Sequence, residues 1–545
     1  MLQINTDATN DKTSCNENRL APITNDFTII RKLGNAEVIY DYEHNSHKNV
    51  ILIDSFVIES KINLYANLNL LNKAIFYWKQ QNLLLRSAIL TLDSQASSAY
   101  TRKEIISSEK YFVYANENRI NNNDNCKYYR LNLGGAHLTG TEIEEICHEM
   151  FAHEYNIDFI DSKNGPLWRL NFIETTSTND NEIANELNYS YYVIFTAHHS
   201  IADARNAHYL FTQLFSIIDN VFSNINAHFE FSYRFEPSIE DRLFNNDPVK
   251  LSNINMAECE HFNGNTCKII KEFSYFNDQS RLEKVHFNQS IKFESVVDDH
   301  KNDINFCDVR KNLVRVHHFT LNDEFKSLLR LCKINKTKMT ACINMITALA
   351  TRELYKQFTN DKEFLNIHYH LLANLRPFLD PPIDNFIMGY WAVVFGLNFF
   401  AECDLNDKIF WSKTFWEHVK HEADALHERI RNNEHFEAAK FDNILFQQIS
   451  NEEKFVNGGG VHYALSNLGV MPSSISSESK IKIKKHFFGT SLQENRWSSL
   501  IFHGLTTIDD SLCWSITYNS KYITNKSIDV LVCNILQILQ KVVST

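Results

Sequence analysis

Apolar residues in this chain follow two spacings, one typical of strands and one typical of helices. Residues 191–197, YYVIFTA, form a dense apolar and aromatic run of strand length, which predicts a buried strand. From about residue 204 the apolar residues recur at helical spacing, at Ala207, Leu210, Phe211, Leu214, Phe215 and Ile218. The chain is therefore expected to pass from a buried strand through a short turn into a helix.

Similar patterns recur in both halves of the chain. Further strands are predicted at 50–58, 83–90, 111–114, 165–174, 367–375, 391–400 and 480–489, and further helices at 64–78, 140–155, 407–432 and 527–543. In the helix at 140–155, Thr141 and Glu144 have the spacing of a capping box. The last helix carries a broad apolar stripe, which predicts that it packs on a sheet.

The pattern also predicts how the chain is divided. Residues 1–27 are polar and rich in asparagine, which is typical of a disordered tail. A chain of 545 residues is too long for one compact core and predicts two lobes. Residues 241–311 are polar with only short apolar runs, which indicates a linker with an insertion. The predicted N-terminal lobe is 28–240 and the predicted C-terminal lobe is 312–545.

Charge and cysteine usage narrow the function classes. The formal charge is 54 minus 66, or −12, which disfavours nucleic acid and anionic membranes as partners of the whole chain. The eleven cysteines are scattered without a CxxC pair, which predicts reduced thiols and no metal site. The N-terminus lacks the apolar segment of a secretion signal. We expect a cytoplasmic monomer, with peripheral docking of the last helix on a lipid surface as the alternative.

The turn after residue 197 carries the chemistry. His198, His199 and Asp203 are polar groups at the edge of a core, where they are costly unless paired or used. His199 offers a general base and Asp203 a carboxylate, while no serine or cysteine nearby stands in a recognisable nucleophile elbow. This favours direct base catalysis over a covalent enzyme intermediate. The alternative is that these are ordinary hydrogen-bonded residues at a strand end.

Four motifs carry a family resemblance. The sequence HHSIADA resembles the HHxxxDG signature of the CoA-dependent acyltransferase superfamily, which includes condensation domains, BAHD acyltransferases and alcohol O-acetyltransferases. The segments GPLWRL (165–170), NLRPF (374–378) and SNLG (466–469) are similar to further family motifs in the same order. The resemblance spans residues 28–543. Ala204 stands where the family usually has glycine, and a turn that needs positive φ would be strained there.

The resemblance implies an α/β fold of two chloramphenicol-acetyltransferase-like lobes with mixed sheets, facing a central tunnel with the turn at its midpoint. It implies that His199 is the general base, that His198 supports the turn, and that Asp203 pairs with Arg376. Ser466 and Asn467, in the family's donor-channel segment, are the candidates for stabilising the oxyanion.

The expected reaction moves an acyl group from acyl-CoA, as co-substrate, to an alcohol or amine, and no permanently bound cofactor is expected. Lys482, Lys484 and His486 share one face of a predicted strand, which makes the two lysines candidates for the CoA phosphates. Two alternatives remain open: a catalytically silent acyltransferase-like binding protein, and a condensation-type enzyme that forms amides from carrier-bound substrates. Free acyl-CoA is the preferred donor because no carrier or adenylation module accompanies the domain, and transfer to an alcohol is what the family resemblance most closely suggests.

Overall fold

The computed structural model describes most of the chain between residues 27 and 544. The described residues are 27–47, 51–91, 109–115, 125–132, 139–157, 160, 162–163, 165–177, 188–224, 229, 236–244, 292–297, 304–305, 314–356, 366–400, 405–436, 439, 461–491, 499–520 and 523–544. The predicted N-terminal tail, apart from residue 27, and most of the predicted linker at 241–311 lie outside these residues.

The described residues form helices and strands in both halves of the chain. The strands are β1 (Phe27–Lys32), β2 (Ile51–Ser60), β3 (Ser87–Thr91), β4 (Lys110–Ala115), β5 (Cys126–Asn132), β6 (Trp168–Ser177), β7 (Tyr189–His198), β8 (Lys292–Ser295), β9 (Ile304–Asn305), β10 (Val314–Leu321), β11 (Asn366–Asn374), β12 (Ala392–Phe400), β13 (Tyr463–Met471), β14 (Ile481–Thr490), β15 (Ile501–Ile508) and β16 (Ser511–Asn519). The helices are α1 (Asn35–His47), α2 (Leu68–Gln81), α3 (Gly140–Glu154), α4 (Ala204–Ser223), α5 (Ile239–Phe244), α6 (Asp323–Ile334), α7 (Met339–Lys356), α8 (Phe415–Arg431) and α9 (Asn525–Ser544).

The strands form three sheets. A seven-stranded sheet has the order β14-β2-β7-β6-β5-β8-β9, and a six-stranded sheet has the order β10-β16-β15-β13-β11-β12. Strands β1, β4 and β3 form a smaller third sheet. Both large sheets mix parallel and antiparallel pairs: β5 runs parallel to β6, and β13 runs parallel to β11 and β15. The predicted class of mixed α/β sheets in two lobes is therefore confirmed.

Strand β14 departs from the predicted lobe division. Although it lies within residues 312–545, it pairs antiparallel with β2 of the first sheet, from Ile481 opposite Ser60 to Thr490 opposite Leu52. Two short strands of the predicted linker, β8 and β9, also join the first sheet, beyond β5. Position along the chain therefore does not decide which sheet a strand completes, because a free sheet edge can accept any strand that reaches it.

Two large cores hold the sheets in place. Helices α2 and α4 pack on the seven-stranded sheet, where Phe56, Trp78 and Phe211 are fully buried. Each buried side chain such as Phe211 stabilises the fold by about 1.5–3 kcal/mol. Helices α6, α7, α8 and α9 contribute the second core. Of the described helices, α9 is long and apolar enough to span a membrane by length and composition, but its stripe, including Ile528 and Ile535, is buried in this core.

Two local predictions are corrected. The capping box of α3 is formed by Thr139 and Glu142 and not by Thr141 and Glu144, because the two Thr-x-x-Glu pairs overlap and the helix begins earlier. The segment predicted as a strand at 83–90 begins as a 3₁₀ turn, Leu83–Arg86, before β3. No helix was predicted at the position of α1, because the apolar residues of this segment are few and show only weak helical periodicity.

Candidate active site

The predicted turn joins the end of β7, an interior strand of the seven-stranded sheet, to α4. Strand β7 ends at His198, and Asp203 caps α4 by accepting a hydrogen bond from the Asn206 backbone at 2.8 Å. Ala204 is the first residue of α4, and the described non-glycine residues with positive φ are Lys336, Asn433 and Asp509. Alanine at position 204 is therefore unstrained, because the helix requires negative φ there.

His199 is held in a single tautomer. Its Nδ1 lies 2.8 Å from the backbone carbonyl oxygen of Ala202. Since a carbonyl oxygen can only accept a hydrogen bond, Nδ1 carries the proton and Nε2 keeps its lone pair. The side chain is half-buried, and burial lowers the pKa of the imidazole below its ordinary value of 6.5, although the Ala202 carbonyl and the Asp203 charge oppose this shift. The ring is thus a neutral base at physiological pH.

Two tyrosines flank the His199 ring. Tyr40 of α1 stacks on it with ring centroids 4.9 Å apart and planes inclined by 16°. Tyr390, from the loop before β12, meets it edge-on at 5.3 Å and also meets Tyr40 at 4.8 Å. The three rings bring together residues from both halves of the chain. Neither tyrosine was identified from the sequence, since each lies far from the motif along the chain.

His198 is buried and contacts residues other than those around His199. It is fully buried, and its Nδ1 contacts the Ser200 hydroxyl at 2.7 Å and the Ser200 backbone nitrogen at 3.3 Å. Its Nε2 lies 3.5 Å from Asp41, which also accepts from Lys110 at 2.5 Å. Although burial opposes it, these two partners hold the pKa of the Asp41 carboxyl well below its usual range. The ring edge of His44 packs on His198 at 4.6 Å.

Arg376 meets Asp203 across the two halves of the chain. Its Nη1 donates to Asp203 Oδ2 at 2.7 Å, and the arginine side chain is only 1% exposed. The same carboxylate oxygen accepts from the Trp391 backbone at 3.3 Å. The ion pair implied by the resemblance is thus present, and Asp203 points its charge at Arg376 while its other oxygen caps α4. Asp203 makes no described hydrogen bond to His199, which agrees with a structural task.

The loop before β12 is tied to the turn by further bonds. Asn206 donates to the backbone oxygens of Asn385 and Ile387 at 2.9 and 3.0 Å, and the Gly389 backbone donates to Ile201 at 2.8 Å. Gly389 has φ of +129°, which side-chain-bearing residues rarely adopt. These contacts fix the approach of Tyr390 to His199. The turn-forming residues of this segment, such as Asn385 and Gly389, are typical of a loop but do not indicate which part of the chain it contacts.

Ser466 and Asn467 lie on β13, near the turn but not in described contact with His199. Asn467 donates its amide to Thr340 Oγ1 at 3.1 Å and accepts from the Gly469 backbone at 2.9 Å. Arg205 links α4 to the next residue of this strand by donating to the Leu468 carbonyl at 2.9 Å. The Asn467 amide is therefore committed to internal bonds in this structure, and its expected catalytic task stays a prediction.

The prediction that Lys482, Lys484 and His486 share one face of β14 is correct for the two lysines only. Lys482 and Lys484 are exposed, but the register shifts between Ile483 and Lys485, so His486 turns inward and is fully buried. A β-bulge moves the alternation by one residue, which a strict period of two cannot anticipate. Lys484 lies 3.6 Å from Glu59, which also stands opposite Lys482 across the strands.

His486 instead belongs to a buried chain of polar groups. His208 Nε2 donates to the Pro472 carbonyl at 2.7 Å, so its Nδ1 accepts from His486 Nδ1 at 3.1 Å. His486 Nε2 then faces Asp54 Oδ1 at 2.8 Å. Burial raises the pKa of Asp54 and lowers that of His486, so we assign a protonated carboxyl that donates to a neutral imidazole.

Three further histidines in the described part of the chain make no described contact with His199. His317 lies on β10, while His421 and His427 are exposed on α8. Within the described ranges, no group of three or more His, Cys, Asp or Glu is placed to hold a metal ion.

Comparison with known families shows which family the chain belongs to. The family model for alcohol acetyltransferases matches residues 138–543. The chain belongs to the alcohol acetyltransferase family. This places it in the CoA-dependent acyltransferase superfamily and supports acyl transfer at the level of the family. The matched region contains the turn, Arg376 and β13 but not α1. A comparison with curated proteins found no match.

Solved structures with the same fold match this family member over nearly its full length. Trichothecene 15-O-acetyltransferase (TRI3) from Fusarium sporotrichioides has 12% identity and a TM-score of 0.61, covering 95% of this chain and 96% of that chain. Polyketide synthase associated protein 5 from Mycobacterium tuberculosis has 12% identity and a TM-score of 0.53, covering 94% and 99%. The epimerization domain of the third module of tyrocidine synthetase B has 12% identity and a TM-score of 0.51, covering 95% and 98%. At these identities the likeness shows the fold alone.

Proposed function

We propose that this protein transfers an acyl group from acyl-CoA to an alcohol, with His199 as the general base and without a covalent enzyme intermediate. The observation that carries the proposal is the 2.8 Å bond from His199 Nδ1 to the Ala202 carbonyl, which leaves Nε2 unprotonated. The lowered pKa keeps that nitrogen available at neutral pH. Membership of the alcohol acetyltransferase family supports an alcohol as the acceptor.

The proposed reaction has two steps, attack and collapse, and neither requires a cofactor. The acceptor hydroxyl donates its proton to His199 Nε2 while its oxygen attacks the thioester carbonyl, which gives a tetrahedral oxyanion and an imidazolium. The oxyanion then collapses, the carbon–sulfur bond breaks, and the CoA thiolate recovers the proton from the imidazolium. Asp203 and Arg376 hold the turn during these steps, and Ser466 and Asn467 are the candidates for stabilising the oxyanion.

A serine nucleophile is the alternative that the geometry raises. Ser200, His198 and Asp41 stand in the order of a Ser-His-Asp array, with 2.7 Å from Ser200 Oγ to His198 Nδ1 and 3.5 Å from His198 Nε2 to Asp41. Both Ser200 and His198 are 0% exposed, so no thioester carbonyl reaches the serine oxygen. Direct attack by the acceptor is the mechanism that the accessible histidine supports.

The test is release of free thiol from acyl-CoAs of several chain lengths, each offered to a panel of alcohols and amines. His199→Ala should lower turnover by about 10²–10⁴-fold, as expected for loss of a general base. His421→Ala, an exposed histidine on α8, is the matched control and should leave turnover unchanged. Turnover by His199→Ala equal to that of the parent would refute the mechanism.

The same assay separates the alternatives. A silent binding protein would bind acyl-CoA by calorimetry without releasing thiol for any acceptor. A condensation-type enzyme would consume an acyl group presented on a carrier protein and leave free acyl-CoA untouched. Lys482→Glu and Lys484→Glu should raise the KM for acyl-CoA if the exposed lysines bind its phosphates, although Glu59 already competes for Lys484.

A further inference from the structure

Helix α1 contacts both histidines of the turn, although it lies outside the region that matches the family. Tyr40 stacks on His199, and the next residue, Asp41, lies 3.5 Å from His198 Nε2. One turn further along α1, the ring of His44 packs against His198 at 4.6 Å. Two consecutive residues of α1, Tyr40 and Asp41, therefore contact His199 and His198 respectively.

The hydrogen bond of His199 does not by itself fix the imidazole. A single bond from Nδ1 to Ala202 restrains the two side-chain torsions of His199 at one ring atom only, so the tilt of the ring is not fixed by it. The Tyr40 ring lies nearly parallel to the imidazole, with an interplanar angle of 16°, so it restricts the tilt of the imidazole on one face. Tyr390 closes a second side at 89° to the imidazole plane. The direction of Nε2 is therefore set by packing as well as by the hydrogen bond.

Helix α1 is anchored firmly enough to give this contact precision. Arg31 makes a two-pronged ion pair with Glu37, whose carboxylate also accepts from the Gly34 backbone at 2.8 Å. The Ala36 backbone donates to Glu240 at 2.8 Å. Asp41, beside Tyr40, is fixed by Lys110 at 2.5 Å. These bonds fix the position of the start of α1 and prevent the helix from rotating about its own axis.

We propose that Tyr40 is a positioning residue for the His199 imidazole. It holds Nε2 in the orientation that receives the acceptor proton, and its ring face favours the imidazolium that follows proton transfer. The proposal deepens the proposed acyl transfer and rests on it for its kinetic test. The contact with His199 is made by the ring of Tyr40, so a phenylalanine, which keeps the ring, should preserve it.

The experiment compares Tyr40→Leu, Tyr40→Phe and Tyr77→Leu in the full-length protein. Tyr77, a half-buried tyrosine on α2, is the control for loss of a helix tyrosine. Tyr40→Leu should lower kcat by about 10- to 100-fold with the KM for acyl-CoA within about threefold, because a misplaced base costs turnover more than binding. Tyr40→Phe and Tyr77→Leu should stay within about twofold of the parent.

A second readout is independent of activity. In protein with isotope-labelled histidine, the ring signal absent from His199→Ala identifies His199, and it should move in Tyr40→Leu but not in Tyr77→Leu. If the parent transfers no acyl group at all, the proposed function fails, and this signal still tests the positioning contact. An unmoved His199 signal, or full kcat in Tyr40→Leu, overturns the proposal. Tyr40→Met, which refills the space with a flexible side chain, replaces the leucine variant if the latter does not fold.

Discussion

The ion pair between Asp203 and Arg376 should be among the most costly side-chain contacts to break. The two groups are 2.7 Å apart, and their side chains are 9% and 1% exposed. Removing one member of such a pair strands the other charge in the interior, which costs about 3–5 kcal/mol. Asp203→Ala also removes the cap of α4, worth about 1 kcal/mol more. These losses are a large part of a typical total stability of about 5–15 kcal/mol.

The double variant is the informative one. With both charges gone, no uncompensated charge remains, so Asp203→Ala with Arg376→Ala should cost little more than Asp203→Ala alone. The interaction free energy from the four-variant cycle should therefore be about 3 kcal/mol, close to the cost of Arg376→Ala alone. Urea unfolding gives the four free energies, provided that the m-values agree.

An exposed pair of the same length provides the control. Lys32 and Glu109 also lie 2.7 Å apart, but their side chains are 57% and 56% exposed. The same cycle on this pair should give an interaction of about 0–1 kcal/mol, because water screens it. An interaction below about 0.5 kcal/mol for Asp203 and Arg376 would refute the argument from burial.

Three further predictions concern the site and its surroundings. Because burial lowers the pKa of His199 below 6.5 and only the neutral ring accepts a proton, the fall of kcat/KM toward acid pH should have its midpoint below pH 6.5; a midpoint above 6.5 in the pH profile would contradict this. Ala204→Gly should lower the free energy of unfolding by about 0.5–1 kcal/mol, since the residue is helical, and a raised melting temperature would contradict the negative φ. Asp54→Asn should change the melting temperature by only a few degrees, because the amide can donate to His486 as the protonated carboxyl does. A loss of about 3 kcal/mol or more in urea unfolding would instead indicate an ion pair between Asp54 and His486.

Much of the fold follows from local patterns in the sequence. The run at 191–197 and the helical spacing after residue 204 give β7, α4 and the turn between them, because burial on a strand or a helix face requires that periodicity. The stripe that includes Leu71, Ile75 and Trp78 likewise lies in the first core. The His198-His199 motif could be placed at the turn because its chemistry is local to one segment.

Other features depend on segments that meet only in the folded chain. The chain separation between Asp203 and Arg376 is 173 residues, and only a family resemblance paired them in advance. Tyr40 reaches His199 from a helix whose own sequence showed no clear pattern, and Tyr390 reaches it from the other half of the chain. No local spacing encodes these encounters, because they arise from how the lobes pack.

Strand β14 is the clearest example of the difference between what the sequence predicts and what the tertiary structure determines. Alternation in the sequence predicted a strand there, and the chain forms one as β14. Which sheet it completes was decided by the open edge of β2, and the side to which His486 points was decided by a bulge in that pairing. Periodicity reports the local backbone conformation, whereas register and partner depend on hydrogen bonds to a distant strand, so only the tertiary structure fixes them.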